Sequence, residues 1–297
     1  MKILRRAAAY GVCRSATGDV LLTRGSDASA FPGVWSLPGG GIDQGEHPDD
    51  TVVREFTEET GLAVRITGVR TVLADLARLP DGSVEHTDRI IYDVEVTGGT
   101  LRHEADGTSD LAEWITSTEV AARPLLPFTA GVLGVTFDTA GLGDVPAGEP
   151  ERTGRVQRFG AYALATDPAG RILLTRIAEG FPGAGLWHLA GGGTDFGETP
   201  EQALARELYE ETSQKGRIIG LAGISHRYDP AALGPEGVPL DWHVIRVVYQ
   251  VSVDEPVAAA VTEAAGGSTA EAAWFTREQA RNLPLTELAR DALVRTG

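Results

Sequence analysis

The chain has 297 residues, a hydrophobic fraction of 42% and a formal net charge of -16 at pH 7. At roughly 100–200 residues per domain, this length predicts two globular domains. The negative charge disfavours a nucleic-acid polymer as partner, because proteins that bind one normally present a basic face. A free nucleotide stays compatible with this charge, since a bound metal ion would supply positive charge locally.

Cysteine content and hydropathy exclude further classes. Cys13 is the single cysteine, so the chain has neither an intrachain disulfide nor a thiolate metal site. No run approaches the ~18 apolar residues of a membrane span. The basic start, Met1 to Arg6, precedes too short an apolar stretch for a signal peptide. We expect a cytoplasmic protein with no membrane partner.

The first predicted elements are two short strands. Ala9 to Val12 and Gly18 to Arg24 are β-rich runs separated by a turn, and this pattern predicts a hairpin. A glycine loop, Gly40 to Glu46, follows, and a helix is predicted to begin at His47-Pro48 because proline suits the first turn. Gly61 suits the left-handed residue that ends such a helix.

Three carboxylates on this helix are the first candidates for chemistry. Glu55, Glu58 and Glu59 are spaced i, i+3, i+4, so they are predicted to share one helix face. Like charges at that spacing repel, and a divalent cation would turn the repulsion into coordination. Mg²⁺ is the natural candidate, because it takes hard oxygen ligands and shares them with substrate phosphates.

The second half of the chain repeats the first. The same separation in numbering carries Trp35 to Trp187 and Gly40 to Gly192, which indicates a duplication. Residues 138–155 are rich in Gly, Pro and charge and are interpreted as a linker. The predicted domains are therefore 1–137 and 156–297.

Later elements also occur twice. In each half a β-rich run carries a histidine, an arginine and a tyrosine, which are His86, Arg89, Tyr92, His243, Arg246 and Tyr249. Thr116 and Thr276 each begin a predicted capping box, with Glu119 and Gln279 three residues on. A C-terminal helix is predicted to end each half.

Both glycine loops and their helices resemble the Nudix family, whose box reads G-x5-E-x7-R-E-U-x-E-E-x-G-U, with U apolar. The first box meets every fixed position, with Gly40, Glu46, Arg54, Glu55, Phe56, Glu58, Glu59, Gly61 and Leu62. The second keeps Gly192, Glu198, Arg206, Glu207, Leu208, Glu210 and Glu211 but has Ser213 and Gln214 at the last two positions. A non-glycine residue forced left-handed costs about 1 kcal/mol, so this turn is expected to be strained or reshaped.

The resemblance implies an α/β fold of two tandem Nudix-type α/β/α sandwiches with mixed sheets. The two halves would form an internal pseudo-dimer, and a further homo-oligomer is left open. The resemblance also implies Mg²⁺, with Mn²⁺ as a substitute. The implied metal ligands are Gly39, Glu55, Glu58 and Glu59 in the first half and Gly191, Glu207, Glu210 and Glu211 in the second.

The resemblance to the Nudix box implies further roles for residues of both halves. The implied catalytic set is Arg54, Glu55 and Glu58, with Arg206, Glu207 and Glu210 in the second half, and Glu46 and Glu198 are accessory carboxylates. The general base is left open between Glu55 and Glu58, with Glu104, Asp106 or Glu113 as alternatives from a later loop. Candidates for substrate contact are Arg24, His86, Arg89, Arg176, His243 and Arg246; each has the alternative of packing or pairing locally.

The implied activity is that of a Mg²⁺-dependent Nudix pyrophosphohydrolase acting on a small-molecule diphosphate. A nucleoside di- or triphosphate derivative is the leading substrate class, including nucleoside triphosphates, oxidised ones and ADP-ribose-type compounds. One alternative is an isoprenoid diphosphate. The other is a single active domain with a ligand-binding or regulatory partner domain, which the changes at Ser213 and Gln214 motivate.

Overall fold

The computed structural model describes residues 2–104, 107–136, 154–233, 239–262 and 267–295. Most of the predicted linker 138–155, and Asp106, lie outside these ranges. The first half contains, in chain order, β1 (Ile3–Cys13), β2 (Val20–Gly25), β3 (Trp35–Ser36), β4 (Gly39–Gly41), α1 (Pro48–Thr60), β5 (Leu62–Arg78), β6 (Val84–Gly99), β7 (Ser109–Ile115), α2 (Ser117–Val120) and α3 (Pro127–Leu133).

The second half repeats this order. It contains β8 (Arg155–Thr166), β9 (Ile172–Ile177), β10 (Trp187–His188), β11 (Ala190–Gly193), α4 (Pro200–Thr212), β12 (Arg217–Leu233), β13 (Pro239–Ser252), β14 (Thr269–Phe275), α5 (Arg277–Arg281) and α6 (Glu287–Arg295). The predicted duplication is therefore present at the level of secondary structure.

The first half is built around a mixed sheet with the strand order β4-β1-β6-β5. The central strands β1 and β6 are parallel, and the outer pairs are antiparallel. Adjacent residues of β1 face opposite sides: a side chain at Gly11 would meet Phe56 of α1, whereas Tyr10 packs against Phe128 of α3 at 4.6 Å between ring centroids. The sheet thus lies between two helices, as predicted for an α/β/α sandwich.

The predicted hairpin at the start of the first half is wrong in its pairing. Arg14 and Val20 form a single bridge, after which the two strands separate. β1 joins the mixed sheet, and β2 joins a second sheet with the order β3-β2-β7. Alternation and turn signals located the strands, but partners distant in sequence determined which sheet each one entered.

In the described part of the second half, one seven-stranded sheet has the central order β10-β9-β8-β13-β12, with β11 on β8 and β14 on β9. The core beside it contains Leu164 and Leu189 from the strand region and Leu288 and Leu293 from α6. Trp187 is buried and meets Phe275 edge-on, so it packs in the core, and Trp35 is likewise buried.

Two compact units divide the chain. The first comprises Met1–Gln157 with Tyr228–Trp242, and the second comprises Arg158–Arg227 with His243–Gly297. Among the described residues, no helix has the length and apolar character that spanning a membrane requires.

Both box helices begin with a capping residue and a proline, and both end at a left-handed residue. Proline stands at the first turn of α1 and α4, and Thr199 forms a capping box with Gln202. Gly61 ends α1 with φ 69°, and Ser213 ends α4 with φ 60°, the one non-glycine residue with positive φ in the described ranges. The turn after α4 thus keeps the left-handed form of the first box, and the buried Gln214 holds it, because its amide hydrogen-bonds the backbone of Thr212 and Val257.

This difference between the helix ends gives a paired stability prediction. Gly61→Ala should destabilise the protein by about 1–2 kcal/mol, since a Cβ there would be left-handed and within 2.7 Å of the Thr100 carbonyl oxygen. Ser213→Gly should stabilise it by at most about 1 kcal/mol, because relief of the left-handed cost is offset by the lost Ser213–Ala260 hydrogen bond. Thermal unfolding of both variants checks this, and a stabilising Gly61→Ala would contradict it.

Candidate active site

The three box glutamates of α1 have graded environments. Val52 and Phe56 face the core, and Glu59 continues the same buried stripe one turn on, with 7% of its surface exposed. The side chain of Glu55 is 16% exposed and that of Glu58 is 50% exposed. Val53 is exposed and contributes nothing to the buried face. The three carboxylates therefore form a gradient on one helix face, with Glu59 in the core, Glu55 mostly buried and Glu58 half exposed to solvent.

Glu59 is held from two sides. The Gly39 N–H donates to one carboxylate oxygen at 3.0 Å, and the Ser109 hydroxyl donates to the other at 2.5 Å. Burial raises the pKa of Glu59 to about 7, although both hydrogen bonds favour its charged form. The loop, the helix and β7 thus converge on this carboxylate.

Arg54 connects the other carboxylates. Its Nε and Nη2 bind both oxygens of Glu46 at 2.8 and 2.9 Å, and its Nη1 lies 2.8 Å from Glu55 and 3.1 Å from Glu58. Burial opposes ionisation of Glu46, but the hydrogen bonds from Arg54 and Thr51 prevail and lower its pKa to about 2. For Glu55, burial prevails over the Arg54 contact and raises the pKa.

The second half reproduces this arrangement around α4. Arg206 binds both oxygens of Glu198 at 2.9 and 2.8 Å and reaches Glu207 at 2.7 Å and Glu210 at 3.5 Å. Glu211 is 4% exposed and accepts the Gly191 N–H at 2.8 Å and the Thr269 hydroxyl. The changes at the end of α4 leave these carboxylates in place.

The box glycines fit against the glutamates. A Cβ at Gly40 would lie 2.6 Å from Glu55 Oε1, and a Cβ at Gly192 would lie 2.6 Å from Glu207 Oε1. Gly39, with φ 141°, also passes so close to Tyr10 that no side chain fits. The loop therefore needs glycine because a carboxylate and a neighbouring strand occupy the space of a side chain.

A cavity of about 420 Å³ opens beside the first box. It is lined by Glu55 and Glu59 and by two arginines, Arg6 and Arg89. Arg89 is 7% exposed, pairs with Asp75 and donates to the Tyr10 hydroxyl at 2.9 Å. Of the predicted substrate contacts in this half, the structure brings Arg89 to the cavity with the carboxylates.

The other predicted substrate contacts have different surroundings. Arg24 binds both carboxylate oxygens of Asp110, and Arg176 binds one oxygen of Glu271 through two nitrogens; both arginines lie at half-exposed strand ends. His86 is 1% exposed beside Asp88, and neither Arg24 nor His86 lines the cavity. His243 is fully buried and hydrogen-bonds His226.

The alternative bases also differ in position. Glu104 acts electrostatically on Glu59 and accepts the Ser109 N–H at 3.3 Å, so it lies beside the buried carboxylate. Glu113 is instead paired with Arg123 at 3.8 Å. Asp106 lies outside the described residues.

Sequence reasoning missed the hydroxyl groups that hold the buried glutamates. Ser109 and Thr269 begin β7 and β14, and each lies five residues before the tryptophan of its strand, Trp114 or Trp274. A hydroxyl at one position in both repeats was a usable signal. Serine and threonine are common enough that the signal gains weight only once the glutamate is seen to be buried.

The carboxylates suit a hard divalent cation by their chemistry. Glu55 and Glu58 lie within 3.1 Å of the same guanidinium nitrogen, so their oxygens approach one point, and all donors on this face are anionic oxygens. Within the described ranges, no three His, Cys, Asp or Glu side chains already form a closed metal-binding group. Glu55, Glu58 and Glu59 are the residues that would hold a cation on this helix face.

A model of a known domain family covers both halves of the chain. The NUDIX domain model matches residues 4–133 and 156–295, which is most of the chain. The chain therefore belongs to the NUDIX family and carries two tandem NUDIX domains.

Individual relatives match shorter segments. An ADP-ribose pyrophosphatase of Methanocaldococcus jannaschii is 38% identical over 72 residues, covering 24% of this chain and 41% of the relative. The nucleoside triphosphatase NudI of Enterobacter sp. (strain 638) is 37% identical over 68 residues, covering 23% of this chain and 42% of the relative. The chain thus spans less than half the length of these two relatives.

Among solved structures, the crystal structure of a MutT NUDIX hydrolase from Burkholderia pseudomallei is 29% identical, with a TM-score of 0.39. The match covers 48% of this chain and 99% of that chain.

An imidazole in the second half gives a pH prediction. His188 is hydrogen-bonded to Thr286 and packs edge-on to Tyr162; burial, and then the charge of Arg246, lower its pKa to about 4. In the unfolded chain the pKa of this imidazole has its usual value near 6.5. Between pH 6.5 and pH 4 the imidazole is therefore protonated in the unfolded chain and neutral in the folded chain. The contribution of His188 to the free energy of unfolding should therefore fall by up to about 3 kcal/mol as the pH drops from 6.5 to 4.

His188→Gln should remove that contribution. Denaturant unfolding of wild type and variant at several pH values between 4 and 7 measures the two slopes. Parallel curves over this range would show that His188 does not carry the effect.

Proposed function

We propose that the protein is a Mg²⁺-dependent pyrophosphohydrolase that cleaves a diphosphate linkage in a nucleoside di- or triphosphate derivative. The observation that carries the proposal is the convergence of Glu55 and Glu59, Arg6 and Arg89 on one cavity in the first domain. Carboxylates there can hold a cation, and the partly exposed Arg6 can receive phosphate oxygens, whose geometry a guanidinium group matches.

Glu55 is the preferred general base. It lines the cavity, and burial raises its pKa, which makes a carboxylate a better proton acceptor near neutral pH. Both oxygens of Glu59 already accept hydrogen bonds, and Glu58 is half exposed. Glu59 therefore suits a fixed ligand, and Glu58 suits an adjustable one.

In the reaction, Glu55 takes a proton from water as the water oxygen attacks phosphorus, and the P–O bond of the anhydride breaks. Arg54 keeps Glu55 oriented throughout by its 2.8 Å hydrogen bond. The bound cation would offset the negative charge that grows on the diphosphate oxygens. The departing phosphate oxygen keeps the electron pair of the broken bond.

The substrate class rests on the cavity and on the relatives. The lining is mixed, with charged groups beside apolar ones such as Phe31 and Leu126. It therefore suits a substrate with a phosphate end and a flat or apolar end better than a long isoprenoid chain. The two named relatives, an ADP-ribose pyrophosphatase and a nucleoside triphosphatase, bracket this class.

Both domains are proposed to be active. The hydrogen bonds of Arg206 to the box glutamates, and those that Glu211 accepts from Gly191 and Thr269, repeat the arrangement of the first domain. The changes at Ser213 and Gln214 leave them intact. The alternative is that one domain has become a regulatory module.

Product release with Mg²⁺ across nucleoside triphosphates, ADP-ribose, nucleotide sugars and prenyl diphosphates tests the proposal. Glu55→Gln and Glu207→Gln should each lower the turnover of the affected domain by about 10²–10⁴-fold, the usual contribution of a general base. The double variant should be inactive. Loss of all activity in one single variant alone would make the other domain regulatory, and no turnover by wild type would refute the proposal.

Two glycines of the first domain provide a pair of variants. Gly40→Ala should push the Glu55 carboxylate away and lower activity by about 10–100-fold, since a displacement near 1 Å can have that effect. Gly68→Ala, on β5, is the control, because a Cβ there would meet no atom within 4 Å and Gly68 does not line the cavity. Both are assayed in the Glu207→Gln background. Equal loss in both variants would show that an added methyl group lowers activity for a reason unrelated to Glu55.

A further inference from the structure

The arginine beside the first site is fully compensated. Arg89 pairs with Asp75 at 2.8 Å, donates to the Tyr10 hydroxyl and stacks on the Phe128 ring at 4.2 Å. Burial opposes its charge, but Tyr10 and Asp75 prevail and its pKa is raised. Little of its charge is left for an anion.

The equivalent arginine of the second domain is not compensated. Arg246 donates through Nη2 to the His226 carbonyl oxygen at 3.3 Å, while its Nε is buried without a hydrogen-bond partner. In the part of the chain that the structure describes, Arg246 forms no ion pair with a carboxylate. Burial lowers its pKa, the opposite of Arg89.

One substitution between the repeats explains the difference. Asp75 lies fourteen residues after the helix cap Gly61, and Arg227 lies fourteen residues after the cap Ser213. A carboxylate that neutralises the first arginine is thus replaced by a second positive charge. Glu287 and Asp291, exposed on α6, attract Arg246 electrostatically but do not contact it.

Tyr162 places Arg246 next to the second box. It occupies the position of Tyr10 and pairs with Gly191, whose N–H donates to Glu211, while its strand β8 neighbours β13, which carries Arg246. Burial raises its pKa to about 12, Arg246 lowers it, and Glu211 and Glu207 raise it. The uncompensated arginine therefore lies near the carboxylates proposed to hold the cation.

We infer that Arg246 and the exposed Arg227 form an anion subsite in the second domain that binds a phosphate group of the substrate. This rests on the proposed function and deepens it: the second domain selects substrates with a phosphate beyond the one at the cation. The first domain lacks the subsite because Asp75 neutralises Arg89, the arginine at the equivalent position. The first domain therefore accepts a neutral group at that position. The two domains thereby divide the substrate class between them.

Isothermal titration of the full chain with inorganic diphosphate, in EDTA, tests the subsite without metal or turnover. Wild type should bind one diphosphate per chain. Arg227→Asp, which copies the first domain, and Arg246→Gln should each weaken binding by about tenfold or more. Asp75→Arg, which copies the second domain, should add a second binding event.

Arg217→Asp is the matched control. It makes the same charge change on the same strand, where Arg217 is exposed and paired with Asp254, and it should leave the affinity as in wild type. Equal weakening by Arg217→Asp and Arg227→Asp, undiminished binding by either proposed variant, or no binding by wild type would overturn the inference. Arg227 is exposed, so its variant decides the matter even if Arg246→Gln misfolds.

The outcome is separable from that of the proposed function. Diphosphate binding that depends on Arg227, together with no turnover on the panel, would refute the hydrolase and keep the subsite. Turnover on the panel, together with diphosphate binding that Arg227→Asp leaves unchanged, would support the hydrolase and refute the subsite.

Discussion

The rest of the site depends on the hydrogen bonds between the guanidinium group of the box arginine and the surrounding carboxylates. Arg54 ties the loop carboxylate Glu46 to the helix carboxylates Glu55 and Glu58, and Arg206 does the same in the second domain. Without the positive charge of the arginine, several carboxylates would repel one another across a few ångströms. The arginine therefore lets the fold keep a concentrated negative charge before any metal binds.

The two domains share this frame but differ beside it. The helix, the loop and the clamp on the buried glutamate are nearly superimposable in their contacts, down to the glycine N–H that Glu59 and Glu211 each accept. The neighbouring strands are free of that constraint, so Asp75 in one domain has its counterpart in Arg227 in the other. The two domains thus share the residues that hold the concentrated negative charge and differ in the charge of the strand beside it.

Much of the fold was predictable from the sequence because its signals are local. The helix ends at His47 and Gly61, the capping boxes and the glutamate spacing depend on residues within a few positions of one another. The pairing of β1 with β6 was not predictable, and it broke the expected hairpin. The same limit applies to the site: the glutamates were found from their spacing, while Ser109, Tyr10 and Asp75 reach it from distant strands.

The parallel pairing of β1 and β6 has a consequence for the order of assembly. Ile3 pairs with Val84 and Cys13 with Val94, whereas β5 and β6 meet through a short turn. Loop-closure entropy delays the first pairing relative to the second. A growing chain that has emerged only as far as Leu62 contains every residue of the first box, yet it lacks Arg89 and Ser109. Each domain therefore gains its complete site only when its last strands are in place, long after its motif has been synthesised.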